Sequence, residues 1–377
     1  MTDIVDVNAN ISSRINLMRI VLISGIVFVH VPHDPATSPY VGTYGVLDWL
    51  RVFLGDSLFR VGVPCLSAIS GYLLFRRGLD SFDYGKTLKT KARTVLLPFL
   101  IWNIAFLALA FVAQSKGISF GYLPDIVGAS AREWLNLAVA LQDLPINVPL
   151  YFLRDLLLCI VLSPVLAWLI KRYPMQTLAL LLAYAVLPLP NGIFLKKSIL
   201  FGFSAGIYMS LHRVDVRSLD RFSWPITIAV LGASVLLSLV LYQYGPDFPV
   251  WVDMLRSLTA LSGILGSWAV SELLVRTNVG ASLARGGGLS FWIFCTHYPL
   301  LVLFWMIWNR AGFGYYPAFY YTVPFITIAI LVAAYGLAGR WLPNLTAILT
   351  GSRAGAARGA KVRPAEQRAE LSPQQRT

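Results

Sequence analysis

Charge is what this sequence has least of. Asp, Glu, Lys and Arg together make up 13% of its 377 residues, about half the roughly 25% of an ordinary soluble domain. A chain so poor in charge cannot dress a water-facing surface, which excludes a soluble globular protein, a disordered chain and a coiled coil. Cysteine is scarce too. Cys65, Cys159 and Cys295 are odd in number, form no C-x-x-C pair and lie inside apolar runs. They exclude a disulfide framework and read as small buried hydrophobes. The four histidines are scattered, with no carboxylates at ligand spacing, so no metal site is expected. There is no internal repeat, no Gly-rich nucleotide loop and no readable Ser-His-Asp arrangement. The Gly286-Gly287-Gly288 run reads as a turn. A signal peptide is not expected either: the first apolar run begins near Ile15, carries an arginine and has no small-residue cleavage site behind it.

What the sequence has is apolar length. Hydrophobic residues reach 57% and mean hydropathy is +0.66, and 11 Trp and 17 Tyr supply side chains that anchor at bilayer interfaces. A membrane-crossing helix needs about 20 mainly apolar residues. Ten runs qualify or nearly so: Ile15–Val31, Ser57–Phe75, Thr94–Ala113, Val148–Ile170, Gln176–Leu189, Lys197–Leu211, Trp224–Tyr244, Asp253–Val275, Leu289–Asn309 and Phe319–Arg340. The predicted fold is therefore all-α, a polytopic membrane bundle of about ten transmembrane helices. With the N-terminus inside, most Lys and Arg fall on inner segments, which sets an N-in/C-in orientation. The net charge of +13 is then a topology signal, and no nucleic-acid partner is expected. Residues 1–14 read as a cytoplasmic N-terminal segment and 15–340 as the membrane domain. Residues 341–377 read as a cytoplasmic, largely disordered basic tail that could touch anionic membrane lipid. The stretch Ala129–Leu141 looks like a short amphipathic helix on the membrane surface.

Ionisable groups inside a bilayer are costly and point to function. The first helix holds Arg19 and His30. Eleven residues at about 100° each leave them about 20° apart on one face and about 16 Å apart along the axis. Arginine suits an anionic or phosphate-bearing group, and neutral imidazole suits a general base near pH 7. Snorkelling of Arg19 to the inner interface and capping by His30 are the plain alternatives. His33 and Asp34 could orient His30, although Pro32 and Pro35 make this a solvated helix exit. His297 lies within the ninth run, where a hydrogen-bonded core residue is the ordinary reading, and His212 stands in a basic inner loop. Ser70 and Gly71 permit close helix contact, or line a cavity where Pro64 and Gly71 loosen the backbone. Arg154 and Asp155 sit in an apolar setting and must face a cavity or partners. Being adjacent, about 100° apart on a helix, they are not expected to pair with each other. Arg93 ends a basic run near the inner surface.

Taken together, these residues resemble the signature of a bacterial family of membrane O-acyltransferases, acyltransferase family 3. Arg19-x10-His30 is similar to the family's first-helix motif, Ser70-Gly71-Tyr72-Leu73-Leu74 to its Ser-Gly-aromatic-Leu-Leu motif, and Arg93 with Pro98 to its R-x-x-x-x-P stretch. Tyr151-Phe152-Leu153 resembles an aromatic-rich segment and His297-Tyr298-Pro299 a late H-x-P element. The resemblance implies an enzyme of the bacterial inner membrane. It would move an acyl group from a cytoplasmic acyl-CoA, with no bound cofactor, onto a sugar hydroxyl of a polysaccharide or lipid-linked oligosaccharide. The stretch Arg14–Asp34 is most similar to an exopolysaccharide succinyltransferase, which implies succinyl-CoA as donor. The catalytic candidates are His30, as base or transient acyl carrier, and Asp155. Many family members carry a Glu where this chain offers Arg154 and Asp155, and Arg154 becomes a candidate for holding the succinyl carboxylate. Arg19, Ser70, Gly71, Arg93 and His297 are the remaining donor- or substrate-binding candidates. An O-acetyltransferase on the same scaffold, and a transporter or flippase of a lipid-linked sugar, are the rival readings.

Overall fold

The computed structural model describes residues 2–33, 43–118 and 122–351, and their regular structure is all helical, with no strand among them. In chain order the helices are α1 (Thr2–Val29), α2 (Val46–Val52), α3 (Gly62–Phe75), α4 (Tyr84–Lys91), α5 (Leu97–Ser115) and α6 (Ala131–Val139). Next come α7 (Tyr151–Val161), α8 (Ser163–Arg172), α9 (Pro174–Val186), α10 (Lys197–Leu211), α11 (Ser223–Tyr244) and α12 (Val250–Val275). The last four are α13 (Asn278–Arg285), α14 (Leu289–Arg310), α15 (Tyr316–Trp341) and α16 (Pro343–Leu349). Asp34 lies outside the described residues.

Each of the ten apolar runs is helical, but they are not equal. Seven segments are long and apolar enough to cross a membrane. The fourth run is broken into α7 and α8, bent by 62°. Pro164 has no N–H to donate to the Ile160 carbonyl, so the ladder fails where the bend falls. The fifth and sixth runs give α9 and α10, only 13 and 15 residues long, short of the usual spanning length.

α1 is the core helix. Leu17, Ile26 and Val27 are fully or almost fully buried, and the helix touches α3, α12, α13, α14 and α15. Outer helices do the reverse. α11 exposes Trp224, Ile228, Leu231, Leu236 and Leu239, an apolar face suited to lipid. α3 and α10 run parallel, backbone against backbone. A methyl group added to Gly71 would collide with the Phe203 carbonyl, one on Gly206 with Ala68 and one on Gly202 with Pro64. With little hydrophobic drive between helices in lipid, small residues of this kind are what permits close association. The Ser70-Gly71 motif is therefore a packing element. Ser70 Oγ donates to its own helix at Leu66 O (2.9 Å), and neither Ser70 nor Gly71 lines the cavity beside His30.

Between α2 and α3 the helix departs from α geometry. Phe53–Ser57 is a π turn and Leu58–Val61 a 3-10 turn, a distortion common near functional sites. The stretch carries Asp56 and Arg60. The expected surface helix is α6, opened by a capping box of Ser130 and Glu133; the serine's bonds hold the exposed Glu133 carboxyl below its ordinary pKa. The tail begins with α16, anchored where Trp102 Nε1 donates to Leu349 O (3.1 Å). The tail from 352 onward lies outside the described residues.

Candidate active site

His30 sits at the C-terminal end of α1, and His297 is buried in the middle of α14. The fold brings them together: the ring centroids are 5.4 Å apart, at 64°. The Tyr298 ring stands 6.2 Å from His30, nearly perpendicular. Each imidazole is oriented by its own helix. His30 Nδ1 lies 2.9 Å from Ile26 O, and His297 Nδ1 lies 3.0 Å from Ile293 O and 2.9 Å from Phe294 O. A carbonyl can only accept, so Nδ1 carries the proton in both rings, and Nε2 is left as the lone-pair nitrogen. No described residue donates to His297 Nε2.

Local sequence explains the placement of His297. Pro299 removes the N–H that would have bonded Cys295 O four residues back. Asn147 Nδ2 fills that role at 3.0 Å, and Asn147 N is held in turn by Asn103 Oδ1 (3.0 Å). α14 is thereby fixed to the chain just before α7.

Beside His30 opens a cavity of about 440 Å³, lined by Tyr151, Arg60, Lys196, Lys197, Asp253 and Arg256 among others. Asp56 fixes both arginines, at 2.6 Å from Arg60 and 2.9 Å from Arg256. Desolvation, reinforced by Arg60 and Arg256, lowers the Lys196 ammonium below its ordinary pKa. Arg60 and Arg256 were legible in principle, since both interrupt apolar runs as Arg19 does.

Arg19, on α1, forms no hydrogen bond or ion pair with a described residue. Five residues earlier, Arg14 is completely buried. It donates to Ser271 Oγ (3.0 Å), to both Asp220 oxygens (2.9 Å each) and to Trp268 O (2.8 Å), reaches Glu272 at 3.1 Å, and stacks 3.5 Å above the Trp268 ring. The residue expected at a cytoplasmic boundary is thus the centre of an interior network. Arg93 is exposed in the π turn Ala92–Leu96 before α5 and does not line the His30 cavity.

One expectation changes. Arg154 and Asp155 pair directly, at 2.8 Å; a long, flexible stem bridges the roughly 100° between neighbouring helix positions. Arg154 also donates to the carbonyls of Ala140 (2.9 Å), Leu141 (2.8 Å) and Ile193. Asp155 accepts from the backbone N–H of Leu195 (2.9 Å) and Lys196 (2.8 Å). Neither lines the cavity, and together they clamp two loops to the start of α7. This bonding ties both side chains to backbone groups of the protein.

A family model described as an acyltransferase domain matches residues 12–340, nearly all of the apolar chain. The chain belongs to this acyltransferase family. It is also similar to the succinoglycan biosynthesis protein ExoH of Rhizobium meliloti (strain 1021), with 66% identity over 369 residues, covering 98% of this chain and 100% of that protein. No solved structure matches. The acyltransferase family assignment and the seven long apolar helices make this a multi-pass membrane acyltransferase, in agreement with the motif reading. Within the acyltransferase framework, the two histidines that the first-helix and H-x-P motifs supplied meet at one point.

Proposed function

We propose that the chain is an inner-membrane O-succinyltransferase that uses succinyl-CoA to acylate a sugar hydroxyl of an exopolysaccharide or its lipid-linked precursor. The bundle is N-in/C-in, with the short helices α9 and α10 completing about ten crossings and the His30 cavity opening outward. The observation that carries the chemistry is the His30 ring, which lines the cavity while its Nδ1 is held on Ile26 O. In this reading the sugar oxygen attacks the thioester carbonyl as His30 Nε2 takes the hydroxyl proton. The C–O bond forms, the C–S bond breaks and the proton passes to the departing thiolate. His297, edge-on at 5.4 Å, fixes the base and faces the imidazolium as it forms. Arg19 holds an anionic group of the donor, consistent with its having no hydrogen-bond or ion-pair partner among the described residues. The exopolysaccharide acceptor is supported by the 66% identity to the succinoglycan biosynthesis protein.

The test is acyl transfer by the full-length protein in detergent, with succinyl-CoA or acetyl-CoA and a lipid-linked oligosaccharide. Succinylated product with release of CoA is expected. Acetylated product alone would select the acetyltransferase reading. Absence of transfer by folded protein that still moves the lipid-linked sugar across vesicles would select the flippase.

A further inference from the structure

The cavity beside His30 carries a charge pattern that ester formation alone does not require. A sugar hydroxyl and a thioester carbonyl are neutral, yet four cations line this space against one lining carboxylate, Asp253. Their roles differ. Lys197 donates to Leu187 O (2.7 Å) and Leu189 O (3.0 Å) and thereby closes the end of α9. Asp56 holds Arg60 and Arg256 side by side. Lys196 is different again. Its backbone N–H bonds Asp155 Oδ2, which pins the residue, while nothing among the described residues accepts a hydrogen bond from its ammonium. α3, α10 and α12 all begin at this cavity, and their positive dipole ends add to the same potential.

An electropositive wall facing a reacting centre fits a ligand with a carboxylate at a fixed distance from its acyl carbon. Resting on the succinyltransferase reading, we propose that Lys196, backed by the Arg60–Asp56–Arg256 cluster, binds the free carboxylate of the transferred dicarboxylic acyl group and selects it over neutral acyl groups. The thioester carbonyl lies at His30 and the carboxylate at Lys196, with two methylenes between. An acetyl group gives Lys196 nothing to hold, and a buried carboxylate without such a partner is strongly disfavoured. Lys196 is a specificity determinant in this scheme and takes no part in proton transfer.

The experiment is competition between succinyl-CoA and acetyl-CoA at saturating acceptor, with the full-length protein in detergent and products counted by mass spectrometry. Loss of one charge-assisted hydrogen bond should lower the succinyl-to-acetyl ratio of Lys196→Gln about 10- to 100-fold, and Lys196→Arg should recover most of it. A substrate-side arm is immune to folding defects: the methyl ester of succinyl-CoA, equal in length but uncharged at that end, should compete no better than acetyl-CoA on the wild-type protein. An unaltered ratio in Lys196→Gln, or an equal fall for both donors with a raised acceptor KM, overturns the assignment while the succinyltransferase reading stands; the second result would give the wall to an anionic acceptor. A wild-type protein that takes acetyl-CoA as readily as succinyl-CoA overturns both.

Discussion

The middle of α1 and its C-terminal end carry ionisable groups of opposite character. At mid-helix, Arg14 is surrounded by Asp220, Glu272, Ser271 and Trp268, and every charge there is answered by another protein group. At its far end, His30 lines a cavity, His297 Nε2 has no donor among the described residues, and no described residue accepts a hydrogen bond from the Lys196 ammonium. The lesson concerns how intramembrane charge is read. Cost alone does not mark a functional residue. What separates structure from chemistry is whether the partners are inside the protein, and that depends on tertiary contacts.

His30→Ala is the sharpest way to test the contrast. Loss of a general base should reduce transfer about 10²–10⁴-fold, while the protein reaches the membrane at its normal level. Near-normal transfer would place the chemistry elsewhere and leave the open end of α1 without a role. Arg14→Met should do the reverse. Leaving Asp220 and Glu272 without their buried partner costs about 3–5 kcal/mol, to be read as a lower melting temperature in detergent and a lower membrane level, with kcat per folded molecule retained. A folded, fully stable Arg14→Met protein with lost activity would erase the distinction. Arg19→Lys tests the stretch between Arg14 and His30 and should have the smallest effect. A point charge replaces a planar fork, so the donor KM should rise roughly tenfold, worth about 1.4 kcal/mol, with little change in acceptor KM. An unaltered donor KM would make Arg19 a snorkelling residue.

The apolar runs were legible because helix length and composition are local properties. All ten appear as helix, and the capped surface helix lies within the stretch that predicted it. The 62° break at α7 and α8 was hidden, because Leu162, Ser163 and Pro164 barely interrupt the hydropathy that the fourth run displays. In the site, Arg19, His30 and His297 stood out by the rule that charge in an apolar run must be explained. Their meeting was invisible, since His30 and His297 come from opposite ends of the chain. The same rule applied to Arg60 and Arg256 would have found the cavity wall. The bonding of Arg154 and Asp155 was illegible for a different reason: beyond their mutual pair, their partners are backbone groups of distant loops, which leave no mark in side-chain spacing.

The glycine contact between α3 and α10 has a consequence for how the cavity behaves in a real bilayer. Arg60 stands just before α3 and Lys196 just before α10, and the two helices meet main chain to main chain at Gly71, Gly202 and Gly206. A bilayer thicker or thinner than the bundle makes helices tilt. Two helices fused along their backbones tilt as one body, so the gap between the cations at their tips stays constant while the surrounding helices adjust. A gauge built this way keeps its calibration when growth temperature or lipid composition changes the thickness of the membrane around it.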